Sequence, residues 1–132
     1  MLKGTKSTMI AALLALSILA AGCSPYREVR LGTKDSGRRI EIKEGETLVI
    51  ALEANPTTGY LWEVVEPQQP ILGQKGEPEY QPESDKIGAP GLQTFRFTGQ
   101  KAGDMTLELI YHRPWEKDVE PLKVFSLQVT VR

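Results

Sequence analysis

The feature that most constrains this chain is a two-residue apolar alternation, broken by turn residues about every ten positions, that runs from Arg38 to the C-terminus. Ile40 and Ile42 alternate with charge and lead into the turn Lys43-Glu44-Gly45-Glu46. Leu48, Ile50 and Leu52 alternate with Val49, Ala51 and Glu53, and Tyr60, Trp62 and Val64 repeat the period before Pro67. Phe95 and Phe97 share one side of a segment at 92–98. Met105, Leu107, Leu109 and Tyr111 form the cleanest alternation, and Phe125, Leu127, Val129 and Val131 close the chain. A period of two lines one face of a strand with apolar side chains and leaves the other to water. Beyond residue 23 no segment carries a 3.6-residue apolar period of helical length.

These segments, with a further short strand near residues 77–80 of a polar stretch at 68–89, predict an all-β fold. The pattern is that of an immunoglobulin-like β-sandwich of about seven to eight strands. It has no disulfide, because Cys23 is the only cysteine. The inter-sheet bridge of antibody domains is therefore impossible, and two well-packed inner faces must hold the domain together.

The N-terminus has a different character. Lys3 and Lys6 precede an uncharged apolar run from Met9 to Ala21 that ends in Gly22-Cys23. A basic start, a short hydrophobic run and small exit residues are the anatomy of a secretory signal peptide. The run is short for the roughly 30 Å of bilayer hydrocarbon, and it lacks the polar face of a buried surface helix. Leu19-Ala20-Ala21-Gly22-Cys23 resembles the bacterial lipoprotein lipobox, with Ala20 where Leu is commonest. That resemblance implies cleavage before Cys23 and acylation of its thiol, anchoring the chain to a membrane. Ser24 implies an outer-membrane address if the cell is diderm. The expected organisation is thus a signal peptide at 1–22, a lipidated tether at 23–37 and the sandwich at 38–132. The tether assignment rests on the polar, aperiodic character of the stretch from Ser24 to Gly37.

Charge narrows the classes of function. The chain has 16 basic and 17 acidic residues, and removing Lys3 and Lys6 with the signal leaves 14 basic against 17 acidic. Such a balance supplies no electrostatic drive toward nucleic acid. One cysteine and one histidine, His112, exclude multi-thiolate and two-histidine metal motifs. Asp35, Asp85, Asp104 and Asp118 show no calcium-loop spacing, and no phosphate-binding glycine motif occurs. No cofactor and no metal are expected.

Three turns carry the remaining signal. Asn55-Pro56-Thr57-Thr58-Gly59-Tyr60 lies between two strands, with Asn held extended by the proline and Gly59 free to take positive φ. Gly88-Ala89-Pro90-Gly91 precedes the Phe95/Phe97 strand. Arg113-Pro114-Trp115 follows the alternation that ends at Tyr111. Trp115 either folds back onto the sandwich edge or stands exposed as an anchor. Trp and Arg dominate binding hot spots, which favours the exposed reading. His112 alternates with Tyr111 and falls on a solvated or loop-flanking face, and the run 116–120 is a solvated hairpin tip.

Together, in this order, the three turns resemble those of the chagasin-type inhibitors of papain-like cysteine peptidases. The resemblance spans roughly residues 38–131, with Pro90 where that family's middle loop has glycine. It implies an immunoglobulin-like fold with the three loops at one end, a reversible mode of inhibition and no enzymatic activity. It further implies that Asn55, Pro56, Thr57, Thr58, Gly59 and Tyr60 form a wedge at the catalytic cysteine of a cathepsin L-like peptidase. Gly88, Ala89, Pro90 and Gly91, with Arg113, Pro114 and Trp115, would grip the two cleft walls. Trp115 supplies aromatic area, and Arg113 is suited to pair with acidic groups on the partner. A monomer is expected. The rival reading is a surface lipoprotein whose sandwich serves adhesion or envelope assembly. It accounts for the export signal and the fold, but not for the joint occurrence of the first and third turns.

Overall fold

The computed structural model describes residues 27–132. The signal segment and the acylation site Cys23 lie outside the described residues. Among the described residues nine strands form two sheets that pack face to face. They are β1 (Glu28–Gly32), β2 (Arg39–Ile42), β3 (Thr47–Ala54), β4 (Leu61–Val64), β5 (Leu72–Gln74), β6 (Glu79–Pro82), β7 (Gly91–Gly99), β8 (Gly103–His112) and β9 (Lys123–Val131). One sheet runs β1-β3-β7-β5, with β6 also paired to β7, and the other runs β2-β9-β8-β4. This is the expected immunoglobulin-like sandwich, with more strands than the alternation alone marks.

The alternating residues supply the core. Leu48, Ile50, Leu52, Phe95 and Phe97 from one sheet meet Leu107, Leu109, Phe125, Leu127, Val129 and Val131 from the other, all 2% exposed or less. Burial at this level stabilises each such side chain by about 1.5–3 kcal/mol relative to exposure. Val49 is buried despite its outward position, in register between Arg30 and Arg96. Long basic stems cover apolar surface of this kind.

Of the stretch 23–37 expected to be a tether, residues 23–26 lie outside the described residues and Glu28–Gly32 is a strand, β1. Glu28–Gly32 pairs in parallel with β3, and Leu31 is buried in the core. The sandwich therefore begins by Glu28, ten residues before Arg38. A single-turn 3₁₀ helix, Thr33–Asp35, then carries the chain across to the opposite sheet. There Gly37 N–H donates to the Ser126 carbonyl at 2.7 Å, and β2 pairs in parallel with β9. Asp35 accepts from Gly32 N–H at 2.8 Å and from Arg38, fixing this corner.

Candidate functional site

Strand register brings the three turns to one end. Ala54, the last residue of β3, pairs with Gly91, the first of β7, so the first and second turns leave the same edge. Leu61 at the start of β4 pairs with His112 at the end of β8, which sets the first turn beside the third.

The first turn is built from local side-chain chemistry. Asn55 caps a single-turn 3₁₀ helix over Pro56–Thr58, its Oδ1 accepting from Thr57 N–H at 3.3 Å and from the Thr57 hydroxyl at 2.5 Å. The Thr58 hydroxyl donates to the Asn55 carbonyl at 2.6 Å. Gly59 ends the turn in the left-handed region, φ 82°, and its N–H donates to the Pro56 carbonyl at 2.9 Å. Proline fixes φ at the first position and glycine takes the φ that a β-carbon resists, so this sequence has few other ways to turn. Thr57 and Thr58 are the exposed residues of the turn, while the others are half-buried.

An aromatic stack roots the turn in the core. The Tyr60 and Tyr111 rings are 5.3 Å apart, and Tyr111 lies 5.0 Å from Trp62. The buried Tyr111 also accepts a hydrogen bond from Asn55 N–H on its hydroxyl at 2.9 Å. Among the described residues Gln93 is the one buried residue of polar or charged type, reaching across from β7 to the free edge of β4. Its Oε1 accepts from Trp62 N–H at 2.9 Å and its Nε2 donates to the Trp62 carbonyl at 3.0 Å. Both main-chain groups of an edge residue are thereby satisfied inside the sandwich, where leaving either unpaired would cost about 1–3 kcal/mol. Neither Tyr111 nor Gln93 stands out as a site residue in the sequence.

The second and third turns are tied to the first. Asn55 Nδ2 donates to the Gly88 carbonyl at 3.2 Å, and the Tyr80 hydroxyl donates to the Ala89 carbonyl at 3.2 Å. The Pro90 carbonyl accepts from Glu83 N–H at 3.0 Å, so proline fits here because the second turn is held through its carbonyls. Gly91, expected as a gripping residue, also meets a demand of the fold. It is buried as the first residue of β7, and a β-carbon there would overlap the Gln81 carbonyl of β6, so its service is close strand packing.

In the third turn, Arg113 donates from Nε to the Thr58 carbonyl at 3.1 Å. Its guanidinium lies 4.5 Å from the centre of the Tyr60 ring and 3.2 Å from a Glu116 carboxylate oxygen. Arg113 thus holds the first turn in place, a role added to the expected pairing with a partner. Trp115 is 67% exposed, and the edge of its indole lies directly over Gly59, where any β-carbon would collide with it. Glycine at 59 is therefore required twice, by its φ and by the indole. His112 is half-buried on the outer face with Nε2 2.6 Å from Glu63, on the loop-flanking face expected of it.

The result is a rigid, loop-built prow with an exposed indole and two exposed threonines. Among the described residues no cluster of histidine, cysteine or acidic side chains is arranged to hold a metal ion. The family model described as "Chagasin family peptidase inhibitor I42" matches residues 41–129. The chain belongs to the chagasin family. Amoebiasin-2 of Entamoeba histolytica is 32% identical over 114 residues, which cover 83% of this chain and 90% of that protein. Chagasin itself, from Trypanosoma cruzi, is 31% identical over 85 residues, covering 61% of this chain and 76% of chagasin. In three dimensions the chain is similar to the crystal structure of a cysteine protease inhibitor from Entamoeba histolytica. The TM-score is 0.71 at 29% identity, over 80% of this chain and 96% of that one. The chagasin family consists of inhibitors, not enzymes.

Proposed function

We propose that this protein is a reversible inhibitor of papain-like cysteine peptidases whose loop end plugs the active-site cleft. Residues 55–60 are the wedge at the catalytic cysteine, with Thr57 and Thr58 foremost. Gly88, Ala89, Pro90 and Gly91 serve one cleft wall, and Arg113, Pro114 and Trp115 the other.

One observation carries this reading: three carbonyls of the wedge are engaged within the protein. Those of Asn55, Pro56 and Thr58 accept hydrogen bonds from Thr58, Gly59 and Arg113 respectively. A peptidase nucleophile needs a carbonyl held in near-attack geometry, about 3–3.5 Å away and correctly aligned. Engagement of these three carbonyls holds the peptide bonds that follow Asn55, Pro56 and Thr58 out of that alignment, which favours a wedge that occupies the cleft without being cut. The same bonds restrict the loops before docking, so little entropy remains to be lost on binding.

A soluble Ser24–Arg132 fragment titrated against papain and a cathepsin L-like enzyme tests the proposal. Competitive, reversible inhibition with the fragment recovered intact is expected. Absence of inhibition of both at micromolar concentration, or cleavage within residues 55–60, would contradict it.

The lipid-anchored form is part of the proposal. It is supported by the basic start, the apolar run and Leu19-Ala20-Ala21-Gly22-Cys23. An exported inhibitor tethered through acylated Cys23 would stand off the membrane by only a few residues before β1 begins at Glu28. Metabolic labelling with a palmitate analogue should mark the wild-type chain and spare Cys23→Ser. Equal labelling of both would refute the anchor.

A further inference from the structure

The two ends of the sandwich differ in what they carry. The three turns leave one end, where Ala54 pairs with Gly91 and Leu61 with His112. The described chain enters at the other. β1 runs parallel to β3 and starts level with its first residue, Glu28 opposite Thr47, and Thr47 N–H donates to the Arg27 carbonyl at 3.1 Å. Around this entry stand the turn at 43–46 and the turn between β7 and β8. Gly45 N–H donates to the Gly99 carbonyl at 2.8 Å, and Gly99 N–H to the Glu46 carbonyl at 3.1 Å, which joins the two. Lys43, Glu44, Glu46 and Lys101 make these turns charged, and none of the exposed large apolar side chains lies in them. Ile87, Leu92, Trp115 and Leu122, in contrast, are exposed at or beside the prow.

We infer that the protein is a membrane-held trap: Cys23 fastens the charged pole to the bilayer, the prow faces the aqueous phase, and the peptidase it takes is a soluble one. The inference rests on the inhibitor and lipid-anchor readings above. Two lengths decide it. Only Ser24, Pro25 and Tyr26 separate Cys23 from Arg27. Those four steps of chain reach at most about 14 Å. From Thr47 to Ala54 along β3, and from Gly103 to His112 along β8, the body measures about 24–30 Å at the usual rise per residue. An inverted molecule would need the tether to span the length of the body, so the prow is kept off the bilayer. That restraint matters because indole and other apolar side chains partition into the membrane interface. On a long tether the prow itself would meet the bilayer, and the surface that engages the peptidase would be covered.

The acylated full-length chain, reconstituted in phospholipid vesicles, provides the test. A donor dye on the thiol of Lys101→Cys or of Lys117→Cys reports height above headgroup acceptors, since acylated Cys23 does not react. Lys101 lies in the charged pole, and Lys117 follows Glu116, which pairs with Arg113 of the third turn. Transfer from the Lys101 position should exceed that from the Lys117 position at least about twofold, from a height difference of about 24–30 Å. Inserting about twelve Gly/Ser residues after Tyr26 lets the prow reach the bilayer and should narrow that gap. Vesicles carrying the wild type should float with a soluble cathepsin L-like peptidase bound, and inhibited within about threefold of its inhibition by the free Ser24–Arg132 fragment. Equal transfer from both positions, or a gap unmoved by the insertion, would overturn the inference. So would vesicles that retain no peptidase while the fragment inhibits it, a result that leaves the inhibitor reading standing. If the fragment inhibits nothing, the inhibitor reading falls and the trap with it. If Cys23→Ser floats as the wild type does, the anchor reading falls and the trap with it.

Discussion

Trp115 is the residue on which fold and function separate most cleanly. It buries little of itself, yet its indole covers Gly59 and leaves an exposed aromatic surface at the prow. Trp115→Ala is therefore expected to weaken peptidase binding by about 2 kcal/mol or more, roughly thirtyfold, as truncation of an aromatic anchor does. Its melting temperature should hardly change. A large fall in thermal stability would instead make Trp115 a core residue. Tyr111 makes the opposite case, because its ring is core and stacks on Tyr60 while its hydroxyl holds the wedge through Asn55 N–H. Tyr111→Phe leaves that donor without its partner, at a cost of about 1–2 kcal/mol. Calorimetry should show a lower midpoint, and inhibition should weaken as the first turn loosens. An unchanged midpoint and unchanged inhibition would remove this hydroxyl from the account.

At the scale of the element, the long strands were legible in the sequence because a period of two marks a half-buried strand directly. β8 and β9 bury Leu107, Leu109, Phe125 and Leu127 where the alternation places them. β1 was not legible, for a physical reason. Val29 and Leu31 are its only apolar members, too few to establish a period, and its partner β3 lies beyond two intervening elements. Besides its pairing with β3 and the burial of Leu31, local polar chemistry at Asp35 fixes the corner that ends β1. The Gly32 N–H, and secondarily Arg38, hold that carboxyl below its ordinary value of 3.8. A lowered folded pKa means stability that is present above the unfolded value and lost as pH falls through the folded one. Asp35→Ala should thus lower the denaturation midpoint at pH 7. The gap from wild type should close as pH drops below 3.8, and a gap that stays constant at low pH would contradict this role.

At the scale of the whole molecule, the loops' local identities could be read but their mutual bracing could not. Asn, Pro and Gly act on their own neighbours, so Asn55-Pro56-Thr57-Thr58-Gly59 declares its turn wherever it occurs. The bonds that join the turns span 33 residues from Asn55 to Gly88 and 55 from Thr58 to Arg113, and no spacing rule reports such pairs. Arg113 shows the consequence. Its chemistry suggested a partner's carboxylate, and the fold adds contacts with Thr58, Tyr60 and Glu116 that the sequence did not announce. The sandwich thus places three separately encoded turns on one edge, and their cross-links make them a single rigid surface. The central claim is that this surface occupies a peptidase cleft without being consumed. It is tested most directly by measuring the residual activity of a cathepsin L-like enzyme against increasing Ser24–Arg132 fragment and increasing substrate. The account predicts competitive inhibition that is fully recovered on dilution, with the fragment uncut. Inhibition indifferent to substrate concentration, or none at micromolar fragment, would contradict it and bring the adhesion or envelope reading forward.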